Sequence, residues 1–462
     1  MAQRVFLVHG WSVQETTTYQ TLHRKLAQYG DFAPEEVFLG RYVSLDDRVE
    51  IRDLAKALHA ALKEKLAGDW ETPFHIITHS TGALVVRHWV ARHYSGPCSV
   101  GRPLHNVVFL AGPHFGSRLA HHGRSMLAHI RYLGETGNQV LKALELGSEY
   151  SWLLADAWLD PSSSLDPGSQ LDNVSWRDKG IRPICLVGDR VKKSLVDKMA
   201  ARVMPAGFEK GSDMVVRVAS ANLNFRRYRL MAHNHQITEL GRIDSVPFAA
   251  FEDFVHSGPE CGIMNSIKKR TDRANHLPLG TILESLAVED DAGYDAIRSR
   301  CSEQTARTRE SRPGFAQLDF RFRDDEGHPV TDYAFVHGFI DEQGDAQPSS
   351  AVVHVHKNIV DPHHLTVFLK MDEINHSRRY FIDLRADSGT PLFKFDDLHV
   401  DARGNGATFR ELVREDETTQ IDVVLSRAPH ENLFVFHRGD DSGLHVKWDR
   451  KGEVVENELV EK

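Results

Sequence analysis

The sequence predicts an α/β fold with a mostly parallel sheet in its first half, followed by an all-β domain. Short β-type runs such as RVFLVHG, FHIITHS, NVVFLAGP, MVVRVAS and FRRYRLMAH alternate with helical patterns such as IRDLAKALHAALKEKLAG, which is typical of parallel strands joined by crossover helices. From residue 314 onward, strand-length runs bounded by Gly, Asp, Asn and Pro follow one another. We therefore expect a first domain over 1–257, a helical connector over 258–312 and a β-sandwich-like domain over 313–462.

Composition and charge exclude several classes of protein. The chain has 462 residues, of which 41% are hydrophobic and 26% charged, as in a globular protein of more than one domain. Its net charge of -9 argues against a nucleic-acid partner, which would favour a basic surface. The N-terminus has no cleaved signal peptide pattern, and no apolar run is long enough to span a bilayer. We expect a protein that is cytoplasmic as synthesised, with any export independent of a cleaved signal.

A serine follows the strand FHIIT, in the stretch Thr78-His79-Ser80-Thr81-Gly82. A serine on a tight strand-to-helix turn between small residues is a nucleophile elbow, usually written G-x-S-x-G. Here threonine occupies the first glycine position, and the alternative is that Ser80 merely caps the following helix. In the elbow, the backbone N–H of Thr81 and that of Trp11, which follows the first strand in VFLVHGW, would form the oxyanion hole.

Five stretches together resemble the α/β-hydrolase superfamily, in particular its bacterial lipase and phospholipase branch: VHGW, ITHSTGALVVR, FLAGPHFGS, SDMVVRVASA and AHNHQIT. The resemblance covers about residues 1–257. In this fold the acid and the histidine follow the serine in the chain. The resemblance implies Asp213 as the acid and His235 as the base of Ser80, with Asp189 and His233 as open alternatives. It also implies hydrolysis of lipid esters without a cofactor, and export as an antibacterial effector is one role it suggests.

The segment over about 117–181 is longer than a crossover connection needs, and it carries Tyr150, Trp152 and Trp158. We interpret it as a cap or lid whose apolar side chains suit an acyl chain or a membrane interface, although the same aromatics could simply pack the cap onto the sheet. A lipid or membrane surface is the expected substrate, and the β domain could bind a protein partner. The alternatives are a short-chain carboxylesterase or thioesterase, and a non-catalytic binding protein that acts through the β domain.

The chain contains 27 histidines, some of them in pairs, at His121-His122, at His354 with His356, and at His363-His364. The alternation of side chains along a strand would put His354 and His356 on one face. A zinc site needs further ligands, and the sequence identifies none. We therefore expect no metal, and interpret these histidines as strand and loop surface residues.

Overall fold

The structure, a computed structural model, describes residues 2–10, 20–37, 46–66, 72–94, 103–120, 138–159, 176, 179–190, 209–375, 378–401, 409–429, 433, 444–448 and 454–459. The helices are α1 (Gln20–Tyr29), α2 (Ile51–Leu66), α3 (Gly82–Trp89), α4 (Asn138–Leu144), α5 (Glu149–Asp156), α6 (Val218–Ala221), α7 (Leu277–Leu286), α8 (Asp291–Ser311) and α9 (Phe409–Leu412). The strands are β1 (Gln3–Val8), β2 (Phe32–Val37), β3 (Phe74–His79), β4 (Leu104–Leu110), β5 (Arg182–Asp189), β6 (Phe225–Met231), β7 (Gln236–Ile243), β8 (Phe248–Glu252), β9 (Phe315–Asp324), β10 (Tyr333–Ile340), β11 (Ala346–Pro348), β12 (Val352–Lys357), β13 (His364–Lys370), β14 (Arg379–Ala386), β15 (Phe393–Phe395), β16 (Leu398–Asp401), β17 (Thr418–Leu425), β18 (Arg427–Pro429), β19 (Leu444–Trp448) and β20 (Val454–Leu459).

The first half of the chain forms a parallel six-stranded sheet in the order β2-β1-β3-β4-β5-β8. The inner strands β3, β4 and β5 are mostly apolar and buried on both faces because helices cover both sides, as expected for a parallel sheet. Helices α2 and α3 pack on one face, while α1 packs on the other. The predicted α/β architecture, with separate β sheets in the C-terminal half, is confirmed.

Helices α7 and α8 occupy the region that we expected to be a connector. Their apolar side chains, including Leu279, Ile282 and Ile297, join the same hydrophobic cluster as Val5 and Ile77 of the parallel sheet. A hydrogen bond of 2.8 Å from Thr308 Oγ1 to the carbonyl of Ala250 ties α8 to β8. These two helices therefore form part of the second helical layer on the parallel sheet.

A second six-stranded sheet has the order β12-β13-β9-β17-β6-β7. The run FRRYRLMAH, which the sequence places among the strands of the first domain, forms β6, and β6 pairs in parallel with β17. Residues 225–243 thus share a sheet with strands from beyond residue 313. The run MVVRVAS, also predicted as a strand, is instead a turn followed by the short helix α6.

The two faces of this second sheet differ in chemistry. Along β9, Leu318, Phe320 and Phe322 point to one side, where they share a hydrophobic cluster with the four-stranded sheet β11-β10-β14-β16. The opposite face is polar, yet most of it is buried. It carries His354 and His356 of β12, His364 and Thr366 of β13, Gln317, Asp319 and Arg321 of β9, Thr418, Gln420 and Asp422 of β17, and Arg227 of β6.

The polar face lies against the half of the molecule that contains the parallel sheet, here called the hydrolase-like half. Most of this contact is with the segment around α5. Trp152 is fully buried, and the guanidinium groups of Arg227 and Arg321 both contact its ring. Arg227 is also paired with Asp156. The described part of the expected lid therefore packs between the two halves, and residues 121–137 and 160–175 lie outside the described residues. Within the described ranges, no helix is long and apolar enough to cross a membrane.

Candidate active site

Ser80 lies on a sharp turn between β3 and α3. Its φ angle is 55°, in the left-handed region that is unfavourable for a non-glycine residue, and strain of this kind concentrates at functional sites. Its backbone N–H donates to the carbonyl of Leu110 at the end of β4, and its own carbonyl accepts from Ala83 in the first turn of α3. The serine is thus held at the carboxyl edge of the parallel sheet.

Two glycines allow the chain to approach the serine closely. A Cβ atom on Gly10 would lie 2.9 Å from the Cβ of Ser80, so only glycine fits at this position, two residues after β1. A Cβ atom on Gly82 would lie 2.5 Å from Oγ1 of Thr78. The threonine in the first glycine position of the elbow is therefore accommodated because Gly82 leaves space for its hydroxyl.

The hydroxyl of Ser80 contacts a histidine that we did not predict. His256 Nε2 lies 2.9 Å from Ser80 Oγ, and His256 Nδ1 lies 2.8 Å from Oδ2 of Asp213. The carboxylate is fully buried, and its Oδ1 accepts hydrogen bonds from the N–H groups of Val215 and Val216. The backbone N–H of His256 also donates to the carbonyl of Asp213. Serine, imidazole and carboxylate are therefore joined in one hydrogen-bonded series.

His79, the residue before the serine, supports His256 from its other side. Its Nε2 lies 3.0 Å from the carbonyl oxygen of His256, and the two rings are 4.6 Å apart. Burial, followed by the nearby imidazole of His256, lowers the pKa of His79 to about 3. His79 is therefore neutral at ordinary pH, and the hydrogen bond requires that its Nε2 carries the proton and donates it.

The prediction of His235, with His233 as the alternative, does not fit this geometry. Both histidines lie in the turn between β6 and β7, a hairpin of the second sheet, and no hydrogen bond among the described residues joins either of them to Ser80 or Asp213. The choice of His235 or His233 requires that FRRYRLMA be the last strand of the parallel sheet, but this run forms β6 of the second sheet. The last strand is β8, and His256 follows it in the sequence FEDFVHSG. The sequence signal for His256 is an apolar run of strand length, FAAFE, with a histidine four residues after its end.

Asp213 and its alternative Asp189 occupy different environments. Asp213 contacts the histidine that contacts Ser80, whereas Asp189, at the end of β5, accepts a 2.6 Å hydrogen bond from Arg309. The same guanidinium binds Asp416 at 2.7 Å. Asp189 therefore belongs to an ion-pair cluster that ties α8 to the second sheet.

The two expected oxyanion donors differ in what the structure describes. Thr81 is the N-cap residue of α3, and the first N–H groups of a helix have no partner within the helix, so this end of α3 can stabilise an anion. Trp11 lies outside the described residues. Gly10 next to it packs directly on Ser80.

Among the residues that the structure describes, one group of side chains has donor atoms close enough for a metal ion: Glu149, His363 and His364. The carboxylate is already engaged, because His364 Nε2 lies 2.8 Å from its Oε2, and Arg321 and Arg323 lie 3.5 and 3.3 Å from its Oε1. Two guanidinium groups oppose a divalent cation. We therefore interpret the group as an ion-pair cluster between α5 and the second sheet.

The whole chain has a counterpart among solved structures. No protein-family model matches the sequence, and no curated protein does either. A structure of phospholipase PlaB from Legionella pneumophila in complex with thio-NAD matches with a TM-score of 0.81 and 25% identity, over 98% of this chain and 100% of that chain. A second structure of the same phospholipase matches with a TM-score of 0.79 and 24% identity, over 98% and 99%. The resemblance to the lipase and phospholipase branch of the α/β hydrolases is confirmed.

Proposed function

We propose that this chain is a serine hydrolase that cleaves carboxylic ester bonds of lipids, as a phospholipase or lipase does. The observation that supports the proposal most strongly is the series from Ser80 Oγ through the His256 imidazole to the Asp213 carboxylate, with contacts of 2.9 and 2.8 Å. It has the order and distances that a serine nucleophile, its general base and an orienting acid require. The likeness to a phospholipase along the whole chain supports a lipid, presented by a membrane, as the substrate class.

In the proposed reaction, Ser80 Oγ attacks the ester carbonyl carbon while His256 Nε2 accepts the hydroxyl proton. The tetrahedral intermediate then loses the alcohol, which takes the proton back from His256, and the acyl group stays on Ser80. Water hydrolyses this acyl-enzyme by the same steps in turn. Asp213 accepts the hydrogen bond from Nδ1–H, so it holds the required tautomer and stabilises the imidazolium.

Negative charge that develops on the carbonyl oxygen needs donors at the end of α3. We assign this role to the backbone N–H of Thr81 and, by the resemblance, to that of Trp11. Donors of this kind act without rearrangement during the reaction, and each contributes about a hundredfold to a thousandfold in rate. A substituted side chain at either position leaves its backbone donor in place.

The test compares the chain with Ser80→Ala on phospholipid vesicles, triglyceride emulsions and short p-nitrophenyl esters. We expect the parent chain to hydrolyse long-chain lipids and the Ser80→Ala variant to have lost this activity. Hydrolysis of the short esters alone would identify a short-chain carboxylesterase. Equal rates with and without Ser80 on every substrate would contradict the proposal and favour a binding protein that acts through the second sheet.

A further inference from the structure

The acid of the proposed site lies in a tight turn, from Gly211 to Val218, which we call the acid turn. The N–H of Val218 donates to the carbonyl of Gly211, and the N–H of Asp213 donates to the carbonyl of Val216. Met214 has a φ of 80°, which costs free energy for a residue with a side chain. A turn with this strain keeps its shape only when its surroundings hold it.

One residue of the acid turn, Arg217, joins the turn to both Glu209 and the second sheet. This side chain is 1% exposed, and its Nε and Nη2 bind both carboxylate oxygens of Glu209 at 2.9 and 3.0 Å. Its Nη1 donates to Gln317 Oε1 at 3.2 Å, and its Nη2 lies 3.0 Å from His354 Nδ1. The guanidinium carbon lies 4.0 Å from the centre of the Phe368 ring.

Three of these partners belong to the second sheet. Gln317 is on β9, His354 on the edge strand β12 and Phe368 on β13. Burial, followed by the charge of Arg217, lowers the pKa of His354 to about 4, so at neutral pH its Nδ1 can accept from the guanidinium. Phe315 of β9 also packs against Gly211, at the start of the acid turn.

We propose that Arg217 is a positioning residue for Asp213, through which strands β9, β12 and β13 hold the acid turn in the geometry that the reaction needs. The inference rests on the proposed function, because it assumes that Asp213 orients His256. Asp213 contacts both the ring and the backbone N–H of His256. A displacement of the turn is therefore passed to the histidine, and a displacement of about 1 Å can cost a hundredfold in rate.

The direct test is Arg217→Lys, which keeps the charge beside Glu209 but loses the planar fork that binds several partners at once. The measurement is hydrolysis of a soluble p-nitrophenyl ester, with the number of competent sites counted by a fluorophosphonate that titrates Ser80. We expect kcat per titrated site to fall about tenfold or more with KM unchanged, the pattern of a defect in the transition state alone.

Two further variants keep the test decisive if Arg217→Lys folds poorly. Phe368→Leu removes the ring that the Arg217 guanidinium contacts, and the substituted residue itself belongs to the second sheet. We expect kcat per site to fall about threefold. The matched control is Arg378→Lys, whose guanidinium lies 4.2 Å from the ring of Phe339 on β10 of the four-stranded sheet. Its kcat per site should equal that of the unaltered chain.

The outcomes separate this inference from the proposed function. Unchanged kcat per site in both Arg217→Lys and Phe368→Leu, beside an active parent chain, would overturn the role of Arg217 and leave the proposed function intact. A drop only in the number of titratable sites would also overturn it, because it would show that Arg217 contributes to stability alone. If the parent chain and Ser80→Ala have equal activity, the proposed function itself is overturned.

Discussion

Two histidine–carboxylate pairs of the same length have different surroundings in this protein. His256 lies 2.8 Å from Asp213, and His364 lies 2.8 Å from Glu149. The second imidazole nitrogen of His256 reaches Ser80 on its strained turn, whereas that of His364 is buried and has no hydrogen-bond partner among the described residues. A histidine–carboxylate pair is therefore not evidence of catalysis until the other nitrogen is accounted for.

The charges around the two carboxylates differ as well. Asp213 is fully buried, and two backbone N–H groups bind its Oδ1, so that its Oδ2 faces the imidazole. Glu149 is 40% exposed and faces the cations Arg321 and Arg323. Burial alone would raise the pKa of Glu149, but hydrogen bonds from His363 and His364 lower it below its ordinary value. This second arrangement stabilises the contact between the two halves.

The comparison predicts its largest effect at the serine and its histidine. Ser80→Ala and His256→Ala should each lower turnover by at least about a thousandfold, because triad members act as a unit. The matched control is His235→Ala in the β6–β7 turn, where we expect full activity. The measurement is ester hydrolysis, with circular dichroism to verify folding, and loss of activity in His235→Ala with retention in His256→Ala would reverse the assignment.

The two aspartates provide the next test. Asp213→Asn should lower kcat by about a thousandfold, because an amide favours the wrong imidazole tautomer. Asp189→Asn should instead weaken the contact with Arg309 and lower the unfolding temperature, with most of the turnover retained. Thermal unfolding and kcat measured on the same two samples distinguish these roles, and exchanged phenotypes would make Asp189 the acid.

Much of the candidate site can be predicted from the sequence, and the failure to predict His256 has a physical cause. Ser80 and Asp213 lie in local patterns, a strand-to-helix turn and a turn closed by its own carboxylate, which short stretches of sequence encode. The partner histidine depends on which strand ends the parallel sheet. Strands β6 and β8 are both strand-length runs that precede a histidine, and the pairing with β17, almost 200 residues later, places β6 in the second sheet.

The fold was predictable to a similar extent. Alternation of strands and helices identified the parallel sheet, and the turn-bounded runs after residue 314 identified the β strands. The burial of polar residues such as Gln317, Asp319 and Arg321 could not be read from β9, because alternation of this kind usually indicates a face exposed to water. Here the hydrolase-like half covers that face.

A buried carboxyl on this polar face predicts a pH-dependent stability. Burial raises the pKa of Asp319 to about 7, despite hydrogen bonds from Thr366 and Gln317. A raised pKa in the folded state means that the folded protein holds the proton more tightly, so this contribution to stability is complete below about pH 4 and is lost as pH rises through 7. Asp319→Asn should abolish this loss, which is on the order of a few kcal/mol.

Urea unfolding of the parent chain and of Asp319→Asn at pH 5 and pH 8 measures this effect. We expect Asp319→Asn to gain stability relative to the parent chain as the pH rises. Its free energy of unfolding minus that of the parent chain should be larger at pH 8 than at pH 5. A difference between the two proteins that does not change with pH would show that Asp319 is ionised throughout.

The smallest predicted effect is at the second histidine–carboxylate pair. Glu149→Gln should lower the free energy of unfolding by about 1 kcal/mol, since the carboxylate is partly exposed and its ion pairs are screened by water. Its kcat per competent site should not change. A fall in kcat with unchanged stability would contradict this assignment, because it would show that the pair of His364 and Glu149 also contributes to turnover.

The most direct test of the central claim is the rate and position of labelling by a fluorophosphonate, followed by peptide mass spectrometry. The account predicts one covalent adduct, on Ser80, that forms rapidly in the parent chain and in His235→Ala, slowly in His256→Ala, and not at all in Ser80→Ala. An adduct on another residue, or equal labelling rates in His256→Ala and the parent chain, would contradict it.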